Sequence, residues 1–96
     1  MISSISISDF IKSSPSGQII DIRSIEKYNS NHIPNAKNIP MDKLLAEPQK
    51  YLDKFQTYYI YCQMGIKSIK VCRILQRYGY KVINIAGGYE SWILEK

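Results

Sequence analysis

Four short runs built from β-branched residues and tyrosine, each followed by a stretch with helical spacing, do most to set the fold class of this chain. The runs are Ile5-Ser6-Ile7, Gln18-Ile19-Ile20-Asp21-Ile22, Tyr58-Tyr59-Ile60-Tyr61 and Lys81-Val82-Ile83-Asn84-Ile85, and Asn38-Ile39 adds a very short one. Runs of this length, apolar almost throughout, predict strands covered on both faces. Between them, Ser8 predicts a helix cap with Phe10 and Ile11 pointing inward, and Ser24 a cap for a short helix reaching about Asn29. Met41, Leu44 and Leu45 have helical spacing. Pro48 suits the first turn of a further helix that buries Tyr51, Leu52 and Phe55. Ile69, Cys72 and Leu75 mark the inner face of an amphipathic helix, with Arg73 and Gln76 on its outer face and Gly79 as its C-cap. Tyr89 to Leu94 reads as a last short helix after Gly87-Gly88. Strands alternating with helices predict an α/β fold with a mostly parallel sheet. In such a sheet the ligand lies at the carboxyl ends of the strands.

A length of 96 residues, with no linker or internal repeat, predicts a single domain over 1–96. The net charge of +5 favours anionic partners. The basic residues are scattered rather than clustered, and the tyrosines at 58, 59 and 61 fill a strand instead of forming a stacking platform, so no nucleic-acid partner is expected. No apolar run spans a bilayer, and Met1 to Ile5 lacks the charged start and apolar core of a signal peptide. The expectation is no membrane association and a cytoplasmic location. Two cysteines, Cys62 and Cys72, are too few for a disulfide scaffold.

The segment just after the Tyr58–Tyr61 run carries the chemistry: Cys62-Gln63-Met64-Gly65-Ile66-Lys67-Ser68. A cysteine follows a buried strand, then come a tight loop with one glycine and a helix expected to start near Ser68. Such a loop turns successive backbone N–H groups toward one point, and the helix dipole reinforces them. A thiolate at the loop's first position lies in that field and is held below the free thiol value of about 8.5. Lys67 adds positive charge at the rim, so the nucleophile needs no histidine base. His32 is the only histidine, and the cysteines lie ten residues apart, which gives no metal-ligand spacing. No metal or other cofactor is expected. Cys72 falls on the inner helix face and reads as core packing.

Three blocks resemble the rhodanese family. Ile20-Asp21-Ile22-Arg23, Glu26-Lys27-Tyr28 and His32-Ile33-Pro34-Asn35-Ala36-Lys37-Asn38-Ile39-Pro40 are similar to its Asp-x-Arg…Glu-[Tyr/Phe]…Gly-His-Ile-Pro-Gly-Ala-x-Asn-Ile-Pro segment. The Cys62 loop is similar to Cys-x-x-Gly-x-[Arg/Lys]-Ser, and Val82 to Trp92 is similar to Val-x-x-Leu-x-Gly-Gly-x-x-x-Trp. The resemblance implies a three-layer α/β/α sandwich around a five-stranded parallel sheet of order 1-5-4-2-3. It implies a sulfurtransferase in which Cys62 takes the outer sulfur of a small anionic donor such as thiosulfate as a persulfide. The sulfur then passes to a thiol, cyanide or a protein acceptor. The loop amides from Gln63 through Met64, Gly65, Ile66 and Lys67 to Ser68 would cradle that sulfur, and Lys67 would help to hold the donor. Asp21, Arg23 and His32 are expected to support the site structurally, the first two through an ion pair or hydrogen bonds that include Glu26.

Departures from the family pattern are Asn31 and Asn35 at positions of common glycines, Gln63 where some relatives carry arginine, and Lys67 in place of the more usual arginine. Three alternatives share these residues: a sulfur carrier loaded by a partner protein, a non-catalytic binding module, and a cysteine-dependent phosphatase. The last requires an arginine at the seventh loop position to grip a phosphoryl group, where this chain has Ser68.

Overall fold

The computed structural model describes residues 2–13 and 15–96. In chain order the elements are β1 (Ser3–Ser6), α1 (Ile7–Ser13), β2 (Gln18–Asp21), α2 (Ile25–Ser30), β3 (Lys37–Asn38), α3 (Met41–Ala46), α4 (Pro48–Tyr51), β4 (Thr57–Tyr61), α5 (Ile66–Arg77), β5 (Lys81–Ala86) and α6 (Gly88–Glu95). The five strands form one sheet of order β1-β5-β4-β2-β3, with every pairing parallel. This is the expected order and fold class, and β4, which leads into Cys62, lies at its centre.

The two faces of the sheet bury different residues of the same strands, as a period of two requires. Ile20 and Ile22, Tyr58 and Ile60, and Val82 point to the side of α3 and α5, where Leu44, Val71, Cys72 and Leu75 pack against them. Tyr61 and Ile85 face the other side and meet Ile7 and Phe10 of α1 and Tyr89 of α6. Asn84 shares the phase of Val82 and is 1% exposed, so a polar side chain enters the α5 side of the core.

Helix α5 ends as expected. Gly79 has φ +93°, its N–H donates to the Gln76 carbonyl at 3.0 Å, and the Tyr80 N–H donates to the Leu75 carbonyl at 3.2 Å. These two bonds make a Schellman motif, which glycine accommodates without strain. Ser24 caps α2, accepting from the Lys27 N–H. Asn35 adopts φ 72°, the left-handed conformation its glycine counterparts would supply. Asn31, at φ −175°, is simply extended and needs no special residue there.

Three local expectations fail. Helix α1 begins at Ile7, which the sequence pattern assigns to the first strand; the Ser6 hydroxyl, rather than Ser8, accepts an N–H of its first turn, from Asp9 at 3.1 Å. Ile11, expected to point inward beside Phe10, is 41% exposed, whereas Phe10 is 6% exposed. Helix α4 stops at Tyr51 because Leu52 is already extended, and Phe55 beyond it stands 90% exposed.

Candidate functional site

Cys62 is the first residue past β4, and its sulfur takes the place of a helix cap. Gly65 precedes α5 with φ 93° and has no side chain to cap it, so the first N–H groups of the helix need another acceptor. The Ser68 N–H, in the third helical position, donates to Cys62 Sγ at 3.3 Å, and the Gly65 N–H donates to the same atom at 3.1 Å. The helix therefore starts at Ile66, two residues earlier than its sequence suggests, and the sulfur sits at the positive end of its dipole.

The loop is held in this orientation from its other side. The carbonyls of Cys62 and Gln63 accept from the N–H groups of Tyr89 and Glu90, at 2.9 and 3.0 Å, at the start of α6. A trans peptide points its C=O and N–H in opposite directions. Turning these carbonyls toward α6 thus turns the N–H groups of Gln63 and Met64 away from it. Gly88, at φ +62°, makes the close approach possible, because a Cβ there would collide with the Cys62 carbonyl oxygen.

Burial alone would push the Cys62 thiol up. The Ser68 hydroxyl and the backbone N–H groups of Ser68, Gly65 and Met64 outweigh it and hold the thiol below its ordinary value. Cys72, fully buried on the inner face of α5, meets no such donors among the described residues: burial, and next the proximity of Cys62, push its thiol up to about 12. One cysteine is thus poised to ionise and the other is kept neutral, as its placement in the helix pattern suggests.

Cys62 is 4% exposed and forms part of the wall of a cleft of about 430 Å³. Arg23, Lys27, Gln63 and Lys67 supply the polar part of the wall, and Met41, Met64 and Ile66 the apolar part. Another depression, lined by Ile2, Arg73, Gln76 and Arg77, contains no nucleophile.

Asp21 and Arg23 form the brace beside this cleft. Arg23 Nη2 and Nε meet the Asp21 carboxylate at 2.8 to 3.1 Å, with side-chain exposures of 4% and 0%. The guanidinium also donates to the Asn31 carbonyl at 2.6 Å and to Gln63 Oε1 at 3.1 Å, and it lies 4.1 Å from the Tyr89 ring centroid. Tyr61 Oη completes the carboxylate's shell, donating to Asp21 Oδ2 at 2.6 Å while it accepts the Ile33 N–H at 3.1 Å. The partners of the pair are therefore Asn31, Gln63 and Tyr61, in place of Glu26. His32 lies outside the cleft wall. Its ring stacks on Tyr28 at 3.8 Å, and Nδ1 bonds the Tyr28 carbonyl at 2.9 Å.

Sequence reasoning overlooked four participants: Tyr61, Tyr89, Asn84 and Ser4. The last two bond in series to Ser68, at 2.6 Å from the Ser68 hydroxyl to Asn84 Oδ1 and at 3.3 Å from Asn84 Nδ2 to Ser4 Oγ. A polar residue within the apolar run 81–85 was the available signal for Asn84.

Residues 6–95 match the rhodanese-like domain family. The chain is 32% identical over 91 residues to a protein of Bacillus subtilis called putative sulfurtransferase YtwF, covering 95% of this chain and 87% of that one. It is 37% identical over 75 residues to thiosulfate sulfurtransferase GlpE of Coxiella burnetii, covering 77% and 69% of the two chains. The crystal structure of a rhodanese-related protein from Thermoplasma volcanium superposes with a TM-score of 0.88 at 28% identity, covering 97% of this chain and 92% of that one.

Proposed function

Because the chain belongs to the rhodanese-like domain family, we propose that it is a sulfurtransferase that moves a sulfane sulfur from an anionic donor such as thiosulfate to a thiophilic acceptor, with Cys62 as the nucleophile. The observation that carries this reading is the set of main-chain N–H groups that converge on Cys62 Sγ in the wall of the cleft. These dipoles are fixed before any charge develops, so they stabilise an anionic sulfur without reorganising.

In the first half-reaction the Cys62 thiolate attacks the outer sulfur of thiosulfate. A new S–S bond forms, the donor's S–S bond breaks, and sulfite departs with the bonding pair. The charge then resides on the outer sulfur of Cys62–S–S⁻. The N–H groups of the loop from Gln63 to Ser68 receive that anion, those of Ile66 and Lys67 belonging to the first turn of α5, where no intrahelical acceptor exists. In the second half-reaction an acceptor thiolate or cyanide attacks the outer sulfur, and the Cys62 thiolate leaves. Lys67 and Lys27 on the cleft wall favour an anionic donor. The Asp21–Arg23 pair holds Gln63 from behind and needs no part in the bond changes.

Intact mass after incubation with thiosulfate tests the proposal. One added sulfur, absent in Cys62→Ser, is the expected result. No added sulfur with any sulfane donor would leave a binding module, and turnover of a phosphate ester would point to phosphatase chemistry instead.

A further inference from the structure

The Ser68 hydroxyl stands between the nucleophile and a buried amide. Its Oγ lies 3.4 Å from Cys62 Sγ and donates to Asn84 Oδ1 at 2.6 Å. Asn84 Nδ2 donates to Ser4 Oγ at 3.3 Å, and the Ser4 hydroxyl donates to the Asn84 main-chain carbonyl at 3.3 Å. Strand register builds this chain: Asn84 of β5 pairs with Ile60 of β4 on one side and with Ser4 of β1 on the other. Ser68 and Asn84 are 0% and 1% exposed, so water does not reach the bond between them, whereas Ser4 at the outer end of the chain is exposed.

A serine hydroxyl has one proton. While that proton is on Asn84 Oδ1, Ser68 accepts from the Cys62 S–H, and the whole chain is satisfied with a neutral thiol. A thiolate has no proton to give. It leaves a sulfur anion facing a serine lone pair. Rotation of the Ser68 hydroxyl toward sulfur cures that contact but sets Ser68 Oγ and Asn84 Oδ1, both acceptors, against each other at 2.6 Å. An asparagine resolves the conflict, because its Oδ1 and Nδ2 are nearly the same size and exchange places by a half-turn of the amide. Nδ2 then donates to Ser68 Oγ, and Oδ1 accepts from the Ser4 hydroxyl, which swings over from the main-chain carbonyl. Every buried polar group has a partner in both arrangements.

We propose that Asn84 is a positioning residue acting through Ser68, its amide inverting as Cys62 passes between thiol and thiolate, so that the chain from Ser4 donates toward the sulfur only when the sulfur is anionic. The S–H bond is the only covalent bond that breaks, and its proton leaves to water in the cleft. None travels along the chain. The other titratable groups around Cys62 are Cys72 and Lys67 on α5, Asp21 at the end of β2 with Arg23 just after it, Tyr61 of β4, Lys27 on α2, and Tyr89 and Glu90 on α6. All are common to the variants compared below.

The inference rests on Cys62 being the ionising nucleophile proposed above, but its test requires no sulfur donor. Side-chain ¹⁵N–H₂ resonances of Asn84 should shift with the same midpoint as Cys62 alkylation by iodoacetamide, and should stop titrating in Cys62→Ala. In Asn84→Asp, an acceptor-only carboxylate retains the Ser68 proton, and the alkylation midpoint should rise enough to leave about tenfold less thiolate at neutral pH. That rise should shrink in the Ser68→Ala background, whereas a purely coulombic effect of the carboxylate persists there. Asn84→Leu frees Ser68 to donate to sulfur and should leave the midpoint unraised. An Asn84 resonance that is invariant with pH in the folded wild-type protein overturns the proposal, even if the aspartate variant does not fold. So does an Asn84→Asp shift that survives in full without Ser68. Failure to load sulfur, with Asn84 still tracking Cys62, would count against the sulfurtransferase reading alone.

Discussion

The Cys62 carbonyl accepts a hydrogen bond from the Tyr89 N–H at 2.9 Å, so the loop that carries the nucleophile is fastened to a helix that starts 26 residues later in the chain. The bond fixes the direction of the following peptide plane, and with it the donors that face the cleft. Gly88 permits it.

Gly88→Ala should therefore separate α6 from the loop. The substitution imposes a left-handed conformation on a residue with a Cβ, which costs about 1–2 kcal/mol, and it drives that Cβ into the Cys62 carbonyl. Urea unfolding should show a loss exceeding the conformational cost alone. In the fraction that stays folded, the alkylation midpoint of Cys62 should move up toward that of free cysteine. A variant with unaltered stability and an unaltered midpoint would show that the fastening has no influence on the sulfur.

The two thiols should give stability opposite dependences on pH. Cys62 is held below its unfolded value, so the unfolded chain binds more protons between the two values. Its contribution is fully present above the unfolded value, about 8.5, and is lost as pH falls through the lower, folded one. Cys72 is raised to about 12, so its contribution is complete below the unfolded value and disappears as pH rises toward 12. Replacing Cys72 with Ser should flatten the alkaline decline in urea midpoints while leaving sulfur transfer largely intact. Loss of transfer in a folded Cys72→Ser protein would assign that residue a role beyond packing.

Much of this was legible because it is local. The loop from Cys62 to Ser68 is contiguous, and its chemistry follows from one strand end, one glycine and one helix start. The sheet order came with the family resemblance, whereas the apolar runs indicated only parallel strands. What could not be read is supplied across the fold. Tyr89 reaches the loop from α6, and Ser4 reaches Asn84 through the β1–β5 register, which no sequence spacing encodes. The local errors share a cause. Ile7 looks like strand because it is β-branched, and Phe55 looks buried because it is aromatic. A serine cap in one case and a helix that ends after a single turn in the other override those preferences.

The Asp21 network should be costly to break at either partner. The carboxylate holds Arg23 and accepts from Tyr61, all three within the core. Asp21→Ala leaves a buried guanidinium without its counter-ion and should lower stability by about 3–5 kcal/mol. Tyr61→Phe removes a hydroxyl and orphans the Ile33 N–H, for which the expected loss is about 1–3 kcal/mol. Urea denaturation measures both. Equal losses from the two substitutions would contradict the ion pair as the stronger element.

Lys67 offers the sharpest separation of donor binding from chemistry. It sits on the cleft wall and not within the ring of bonds to Cys62 Sγ, so its charge should act on the approaching anion more than on the nucleophile. An exposed charge pair is worth about 0.2–1 kcal/mol, so Lys67→Ala should raise the KM for thiosulfate up to about fivefold with kcat little changed. Salt should weaken the wild-type protein's donor affinity more than the variant's, since only the former has this charge to screen. Lys67→Arg replaces a point charge with a planar fork that can bind two sulfonate oxygens at once, and should lower the KM below that of the wild type. A KM for thiosulfate that is the same in all three proteins would remove Lys67 from donor binding and leave Lys27, the helix dipole and the loop amides to attract the donor.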